Sequence, residues 1–257
     1  MTFQEKLIAF ETILIKEFLR FIRIWVQTVI PPMVTMILYF IIFGNVIGER
    51  IGDIDGLRYT EYIAPGLIMM SIITHSYANV VSSFYSAKFH RHIDEMLISP
   101  MPNYIIVFGF VAGGVARGTT VGLAVTMVSF VFTDLMIHNF VVIVSVALLT
   151  AILFSLGGLV NGIFAKSFDD ISVIPTFVLT PLTYLGGIFY SIQMLPEFWQ
   201  RVSELNPILY MVNTFRYGIL GVSDIDLSLS YGIILGFIAM MYGISLLLLN
   251  KGVGIKT

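Results

Sequence analysis

The sequence FVVIVSVALLTAILFSLGGLVNGIF, residues 140–164, decides the class of fold. It contains no charged side chain, and it lacks the alternation of apolar and polar residues that indicates a strand. A helix of about 20 apolar residues crosses the hydrocarbon core of a bilayer, which is about 30 Å thick. Backbone groups in lipid must pair with one another, so this run predicts a membrane-spanning α-helix.

Five further segments are long and apolar enough to cross a membrane. The composition agrees, because 57% of the 257 residues are hydrophobic and only 12% are charged. We predict an all-α membrane protein with a single domain over residues 1–257. Its six predicted spans lie at residues 25–43, 62–86, 104–132, 140–164, 171–190 and 229–249.

Two amphipathic segments accompany the predicted spans. Residues 1–23 place aromatic and aliphatic side chains on one helical face beside basic residues, which is typical of a helix on the inner membrane surface. Residues 195–207 carry apolar side chains at helical spacing, and Pro196 and Pro207 each suit the first turn of a helix. We therefore predict short surface helices before the last span.

The distribution of Lys and Arg predicts the orientation of the chain. With both termini in the cytoplasm, nine basic residues fall on the inner side and four on the outer side. The inner residues are Lys6, Lys16, Arg20, Arg23, Lys88, Arg91, Lys166, Lys251 and Lys256. The outer residues are Arg50, Arg58, Arg201 and Arg216. We expect a multi-pass protein with both termini in the cytoplasm.

Several functions are disfavoured by residues that the chain lacks. It has no Gly-x-x-x-x-Gly-Lys-Ser/Thr loop for nucleotide phosphates. Its formal net charge of -2 and the absence of a basic patch disfavour nucleic-acid binding. It contains no cysteine, and His90 and His92 lack a third ligand at metal-binding spacing. We expect no enzyme activity in this chain, and no metal or cofactor bound to it.

Two predicted spans carry polar residues on one helical face. In the second span and in the fifth span these residues recur at four-residue spacing. They are Ser71, His75, Asn79, Thr176, Thr180 and Tyr184. Two interpretations stay open: the side chains line a transport path, or they let helices pack closely and hydrogen-bond to one another.

Arg117 is a charged residue inside a predicted span. The span at 104–132 is about 43 Å long if it is straight, which exceeds the hydrocarbon core. Either Arg117 extends along the helix to the inner interface, or it is a functional buried cation.

The segment at 88–102 is the largest charged joint on the predicted inner side. Its apolar residues are Phe89, Ile93, Met96 and Leu97. Its polar residues include Arg91, Asp94 and Glu95. We expect the apolar face to insert into a groove on a partner protein, with the polar residues at the rim of that groove. A solvated surface helix without a partner is the alternative.

The carboxyl-terminal third carries an ordered series of motifs. Pro175-Thr-Phe-Val-Leu-Thr-Pro-Leu-Thr-Tyr-Leu-Gly-Gly-Ile-Phe-Tyr190 is followed by Leu195-Pro196, Asn206-Pro207 and Arg216-Tyr-Gly218. On these motifs the chain resembles, over essentially its whole length, the membrane (permease) subunit of ABC-2-type ATP-binding-cassette exporters. The most similar members are bacterial permeases related to polysaccharide, lipo-oligosaccharide and drug exporters. The motif positions are Pro175, Gly187, Pro196, Asn206, Pro207 and Arg216.

The resemblance implies a homodimer of six-span subunits in the bacterial inner membrane. Two cytoplasmic ATPase subunits would bind ATP and Mg, and would contact the amino-terminal helix and residues 88–100. Residues 191–221 would form short re-entrant helices on the outer side. The implied function is export of an amphipathic, lipid- or glycan-type substrate.

Two other functions remain as alternatives. A secondary transporter would usually show buried carboxylates or an inverted repeat. A membrane assembly protein would need no ATPase partner.

Overall fold

The computed structural model describes residues 1–54 and 56–254, apart from the side chains of Asn45 and Glu49. Within these residues the chain is helical almost throughout, and the only strand-like pairing is one isolated bridge between Ile54 and Leu57. Lys256, one of the basic residues that we assigned to the inner side, lies outside the described residues.

Twelve α-helices make up the described part of the chain. In order they are α1 (Phe3–Arg23), α2 (Trp25–Tyr39), α3 (Gly48–Ile51), α4 (Tyr59–Phe89), α5 (His92–Ile98), α6 (Asn103–Phe132), α7 (Phe140–Phe164), α8 (Asp170–Ile174), α9 (Thr180–Tyr184), α10 (Glu197–Glu204), α11 (Pro207–Leu220) and α12 (Leu227–Lys251). Wider π-helical turns join α2 to α3 and α8 to α9. These turns span Phe40–Ile47 and Pro175–Leu179.

Five helices in the described residues are long and apolar enough to cross a membrane. They confirm five of the six predicted spans, and no end differs from the predicted one by more than about three residues, within the usual uncertainty of helix ends. The five are Trp25–Gly44, Tyr59–Phe89, Asn103–Phe132, Phe140–Phe164 and Leu227–Lys251.

The remaining predicted span, at residues 171–190, is a broken helix. Pro175 and Pro181 carry no N–H donor, and their rings disturb the preceding turn, so α8 and α9 meet in a π-helical turn. The helix ends at Tyr184, and Gly187 has a φ of 70° that lets the chain reverse its direction. The predicted end at residue 190 is therefore wrong, because the apolar residues 185–190 form turns rather than helix.

The two ends of the helix bundle are held by different contacts. We call the end with α1, α5 and the start of α6 the α1 side, and the opposite end, with α3 and α10, the α10 side. On the α10 side, Arg58 pairs with Glu61 and with Asp134, each with a nitrogen–oxygen distance of 2.6 Å. On the α1 side, Lys88 Nζ donates to the carbonyl oxygens of Ile163 and Ala165, each at 2.7 Å.

Helix α4 lies in the centre of the bundle, and most of its side chains are buried. It packs against α6 and α7 through glycines on those two helices. A Cβ atom at Gly158 would lie 2.5 Å from the Tyr77 carbonyl oxygen, and one at Gly122 would lie 2.6 Å from Ile72 Cγ1. Small residues at these crossings let the helix backbones approach closely, as is common in membrane bundles.

Candidate functional sites

Helix α1 packs against α6 along a line that shares only Phe21 with the apolar face predicted from the sequence. Its buried residues are Ile13, Glu17 and Phe21, whereas Phe3 on the predicted aromatic face is 81% exposed. Glu17 packs over Gly113, where a Cβ atom would lie only 2.6 Å from Glu17 Cβ. The sequence did contain a sign of this packing face, because these buried residues follow one another at four-residue intervals.

Glu17 and Arg20 form a polar contact between α1 and α4. Ser83 donates a hydrogen bond of 2.6 Å to Glu17 Oε1, and Arg20 Nε lies 3.5 Å from Glu17 Oε2. Arg20 Nη2 also donates to two oxygens of Asn79, the backbone carbonyl at 2.8 Å and Oδ1 at 2.7 Å. Burial lowers the pKa of the Arg20 guanidinium, and the neighbouring Glu17 carboxylate raises it. These contacts tie α1 to the centre of the bundle.

The polar stripe of α4 is divided between two environments. Asn79 is fully buried and is occupied by Arg20. Ser71 and His75 line a groove between α2 and α4 with a volume of about 230 Å³, together with Thr35 and Tyr39. Asn79 therefore contacts α1, whereas Ser71 and His75 face an open groove.

The polar stripe of the broken helix faces outward. Thr176, Thr180 and Tyr184 are all exposed, and the Thr180 hydroxyl donates to the Pro175 carbonyl oxygen at 2.9 Å. The Tyr184 ring stacks on Phe189, with ring centroids 5.9 Å apart.

An aromatic cluster connects the broken helix to α2. The Tyr39 ring lies 5.9 Å from Phe189 and 5.5 Å from Phe43, measured between centroids. Because Tyr39 also lines the groove with Ser71 and His75, this one residue borders both polar stripes within a single chain. A direct meeting of the stripes across a dimer stays a prediction.

Three of the motif residues hold the reversal after the broken helix. Asn206 Nδ2 donates to the Leu182 carbonyl oxygen at 2.6 Å, and its Oδ1 accepts from the Ile208 amide at 3.0 Å. Pro207 occupies the first turn of α11. Arg216, which is 1% exposed, donates to the Gly187 carbonyl oxygen at 2.6 Å.

The other motif prolines mark helix boundaries. Pro175 opens the π-helical turn, and Pro196 is the N-cap of α10. Asn206, Pro207 and Arg216 therefore hold the reversal at Gly187, whereas Pro175 and Pro196 mark where the neighbouring elements begin.

The predicted coupling segment folds as the short helix α5, and one part of the prediction is wrong. Ile93 is fully buried in the core of this chain, and Met96 and Leu97 are partly buried beside it, so they do not form a free apolar face. Their spacing showed one apolar face but not which surface covers it.

The exposed residues of this segment are Phe89, Arg91 and Glu95, while Asp94 is half-buried. Phe89 is 59% exposed, and its ring lies 5.4 Å from that of Phe168. A surface with one aromatic ring and charges of both signs remains available to a partner.

The structure offers little for a metal ion. The rings of His90 and His92 lie 6.0 Å apart, and His92 Nδ1 is 3.9 Å from Glu95 Oε2. No group of three or more His, Cys, Asp or Glu residues in ranges 1–54 and 56–254 is arranged to hold a metal.

The bundle of long apolar helices defines the class of the chain, that of multi-pass membrane proteins. The chain belongs to the ABC-2 type transporter family, whose model matches residues 8–220. It is therefore a transmembrane permease.

Named relatives cover nearly the whole chain. The inner membrane transport permease YadH of Escherichia coli strain K12 is 55% identical over 250 residues, which cover 97% of this chain and 98% of that protein. Nodulation protein J of Neorhizobium galegae is 24% identical over 241 residues, covering 92% of this chain and 90% of the relative. Nodulation protein J of Rhizobium leguminosarum bv. viciae is 24% identical over 220 residues, which cover 84% of this chain and 83% of that relative.

Proposed function

We propose that the chain is the permease subunit of an ATP-driven exporter in the bacterial inner membrane. A separate ATPase subunit would bind ATP and Mg and drive the export of an amphipathic, lipid- or glycan-type substrate. One observation carries the proposal: a chain of the ABC-2 family forms a membrane bundle but contains no P-loop, so its energy must come from a partner. The name of the relative YadH supports the inner membrane as the location.

The contacts of α5 explain how a partner would act on the bundle. Arg91 and Glu95 are exposed and suit the rim of a partner's groove. Ile93 is buried in a core cluster with side chains of α4 and α6, so a force on α5 would be passed to these long helices. Helix α4 carries Ser71 and His75, which line the groove between α2 and α4. Motion at the coupling segment would therefore change the shape of that groove.

A homodimer with two ATPase subunits fits the exposed surfaces. Phe177 on the broken helix is 74% exposed and Val34 on α2 is 49% exposed, and a second copy or lipid would cover these apolar side chains. In this arrangement α8 and α9 supply the sixth span, and α10 and α11 form short re-entrant helices on the outer side. Both termini lie in the cytoplasm, in agreement with the nine-to-four distribution of basic residues.

The groove between α2 and α4 supports an amphipathic substrate. Pro31 and Leu67 provide apolar surface, and Thr35, Ser71 and His75 provide hydrogen-bonding groups on the same walls. Such a lining hydrates a polar headgroup while acyl chains stay next to apolar side chains.

One observation favours a second candidate, a secondary transporter. Glu17 is a fully buried carboxylate, which is the kind of group that couples transport to an ion gradient. However, Glu17 lies in α1 rather than in a span, and Lys16, Arg20 and Ser83 already contact it. A structural role explains these contacts without an ion.

Reconstitution with the partner tests the proposal. The chain, tagged and purified in mild detergent, is expected to carry with it a soluble subunit that has a P-loop. Lipid vesicles that contain both proteins are expected to export substrate only with ATP.

Exchanging the charges of Arg91 and Glu95 (R91E with E95R) should lower ATP hydrolysis by the complex about tenfold, because complementary rim charges set partner choice.

The matched control exchanges a charge pair of equal spacing on the exposed helix α10, namely Glu197→Arg with Arg201→Glu. ATP hydrolysis in this control should stay at the wild-type rate. Transport driven by an ion gradient without any ATPase would reject the proposal in favour of a secondary transporter. Purification of a stable complex without a P-loop subunit would instead favour an assembly protein.

A further inference from the structure

Arg117 lies in the middle of α6, but this position is close to one face of the membrane. A Cβ atom at the next residue, Gly118, would lie 3.0 Å from Ser76 Cβ, so Arg117 and the middle of α4 stand at one level. From Tyr59 to Ser76 helix α4 rises about 26 Å. The hydrocarbon core is about 30 Å thick, so a membrane face at the start of α4 puts Ser76 close to the opposite face.

Helices α7 and α2 give the same depth. Gly158 of α7 touches α4 at Tyr77, about 27 Å along the helix from Phe140. Trp25, which is 58% exposed, starts α2 directly after the amphipathic α1, at the position of an interfacial aromatic anchor. With the membrane face placed at the start of α4, Arg117 lies at the level of lipid headgroups on the α1 side.

The positive charge at this level exceeds the negative charge. Gly118, the neighbour of Arg117, contacts Ser76, which follows His75 on α4, and Arg20 of α1 donates to Asn79 one turn further along α4. Within residues 1–54 and 56–254, the carboxylate that contacts this cluster is Glu17, and it is already paired with Arg20 and Lys16. Arg117, Arg20, Lys16 and Glu17 together carry three positive charges and one negative charge. In the described part of the chain, Arg117 therefore has no counter-charge.

Several nitrogens in this region have no acceptor. Arg117 is half-buried, its Nε is buried, and within the described residues no group accepts a hydrogen bond from it or forms an ion pair with it. His75 Nδ1 and Asn79 Nδ2 are also buried without a partner. The carbonyl oxygens at the end of α1 are not the partners of Arg117. The Ile24 amide bonds to the Phe21 carbonyl oxygen, and in the described residues Arg117 donates to no carbonyl oxygen there.

These observations indicate a ligand that has an anionic group attached to an apolar acyl chain. A guanidinium matches a phosphate through two parallel hydrogen bonds, and leaving a buried charge unpaired is costly. The groove between α2 and α4 starts at His75 and reaches Leu67, a rise of about 12 Å, which accommodates the first part of an acyl chain. We propose that Arg117, with Arg20 and His75, binds the phosphate of one phospholipid of the α1-side leaflet, whose acyl chain enters this groove. The site does not require the proposed function, but its acyl chain would occupy the groove assigned above to an amphipathic substrate, so the two molecules would compete for the same space.

Lipid binding by the purified full-length chain tests the site. Native mass spectrometry in detergent would compare dioleoyl-phosphatidylglycerol with dioleoylglycerol, which has the same acyl chains but no phosphate. We expect one tightly bound phosphatidylglycerol, and about tenfold weaker binding after Arg117→Gln, equivalent to about 1.4 kcal/mol. Arg117→Lys keeps the charge and should retain most of the affinity. Arg201→Gln, which removes an exposed cation on α10, should change nothing.

Melting temperatures of all variants, measured without added lipid, separate binding from folding. If Arg117→Gln unfolds, the binding of the two lipids to the wild type and to Arg117→Lys is compared instead, and this comparison tests the proposal. Equal binding of both lipids, or wild-type affinity in Arg117→Gln, would overturn the proposal. Lipid extracted from the protein in its own membranes identifies the source of the phosphate. A phospholipid supports the proposal, and a different phosphorylated lipid, such as a transported substrate, would overturn the assignment to a membrane phospholipid.

Discussion

At the scale of single residues, buried cations hold the irregular parts of this permease. Arg216 is the clearest case, because its guanidinium bonds to the Gly187 carbonyl oxygen and lies 4.0 Å from the centre of the Tyr62 ring. It thereby joins the reversal after the broken helix to α4 and α11. A guanidinium satisfies a buried carbonyl and stacks on an aromatic face at once, which no apolar side chain does.

The change Arg216→Leu should destabilise the protein by about 1–3 kcal/mol, since the Gly187 carbonyl oxygen would remain buried without its donor. Thermal unfolding in detergent measures this effect. The control Arg201→Leu removes an exposed Arg from α10 and should leave the melting temperature almost unchanged. Equal melting temperatures for the two variants would show that the Arg216 contact contributes no stability.

At the scale of elements, glycines decide how closely the helices approach. Gly109 and Gly113 of α6 lie under Ile13 and Glu17 of α1, and any side chain there would collide with them. Glycines of α12 are different, because at Gly243 an added Cβ meets nothing within 4 Å. The same residue type is therefore essential for packing in one span and replaceable in another.

We predict that Gly113→Ala loosens α1 from α6 and costs about 1–3 kcal/mol, as overpacking in a core usually does. Gly243→Ala should be neutral or stabilise by about 0.5–1 kcal/mol, because alanine favours a helix. Unfolding midpoints and protease cleavage within residues 1–23 report stability and docking of α1. A Gly113→Ala protein as stable and protease-resistant as Gly243→Ala would contradict the packing of α1 on α6.

At the scale of the whole molecule, the charges at the two ends of the bundle determine how it sits in a membrane. His92 and Arg91 are exposed beside α5 on the α1 side, and Arg201 is exposed on α10 at the other side. Inner loops of membrane proteins are enriched in Lys and Arg, so the α1 side is expected to face the cytoplasm.

Single cysteines test this orientation without background, since the chain has none of its own. In intact cells, a membrane-impermeant thiol reagent should label Arg201→Cys and leave His92→Cys unlabelled. Both should react after the membrane is opened. Labelling of His92→Cys from outside would reverse the orientation, and with it the proposed position of the ATPase.

Local patterns in the sequence were sufficient for most of the architecture. Runs such as 140–164 predict spans because every residue of a helix in lipid must be apolar or paired, and this constraint acts on each helix separately. Pro196 and Pro207 mark the short helices for an equally local reason, the fixed φ of proline. The ordered motifs after Pro175 identified the family before any contact was known.

Only the tertiary structure decided what each face meets. The sequence showed an apolar face at Ile93 and a carboxylate at Glu17, but burial of both depends on neighbouring helices that are distant in the chain. The turn after the broken helix, which ends at Tyr184, is likewise held by a distant contact, the hydrogen bond from Arg216 of α11 to the Gly187 carbonyl oxygen. Helical periodicity fixes which residues share a face, whereas the surface that covers a face is set by long-range packing.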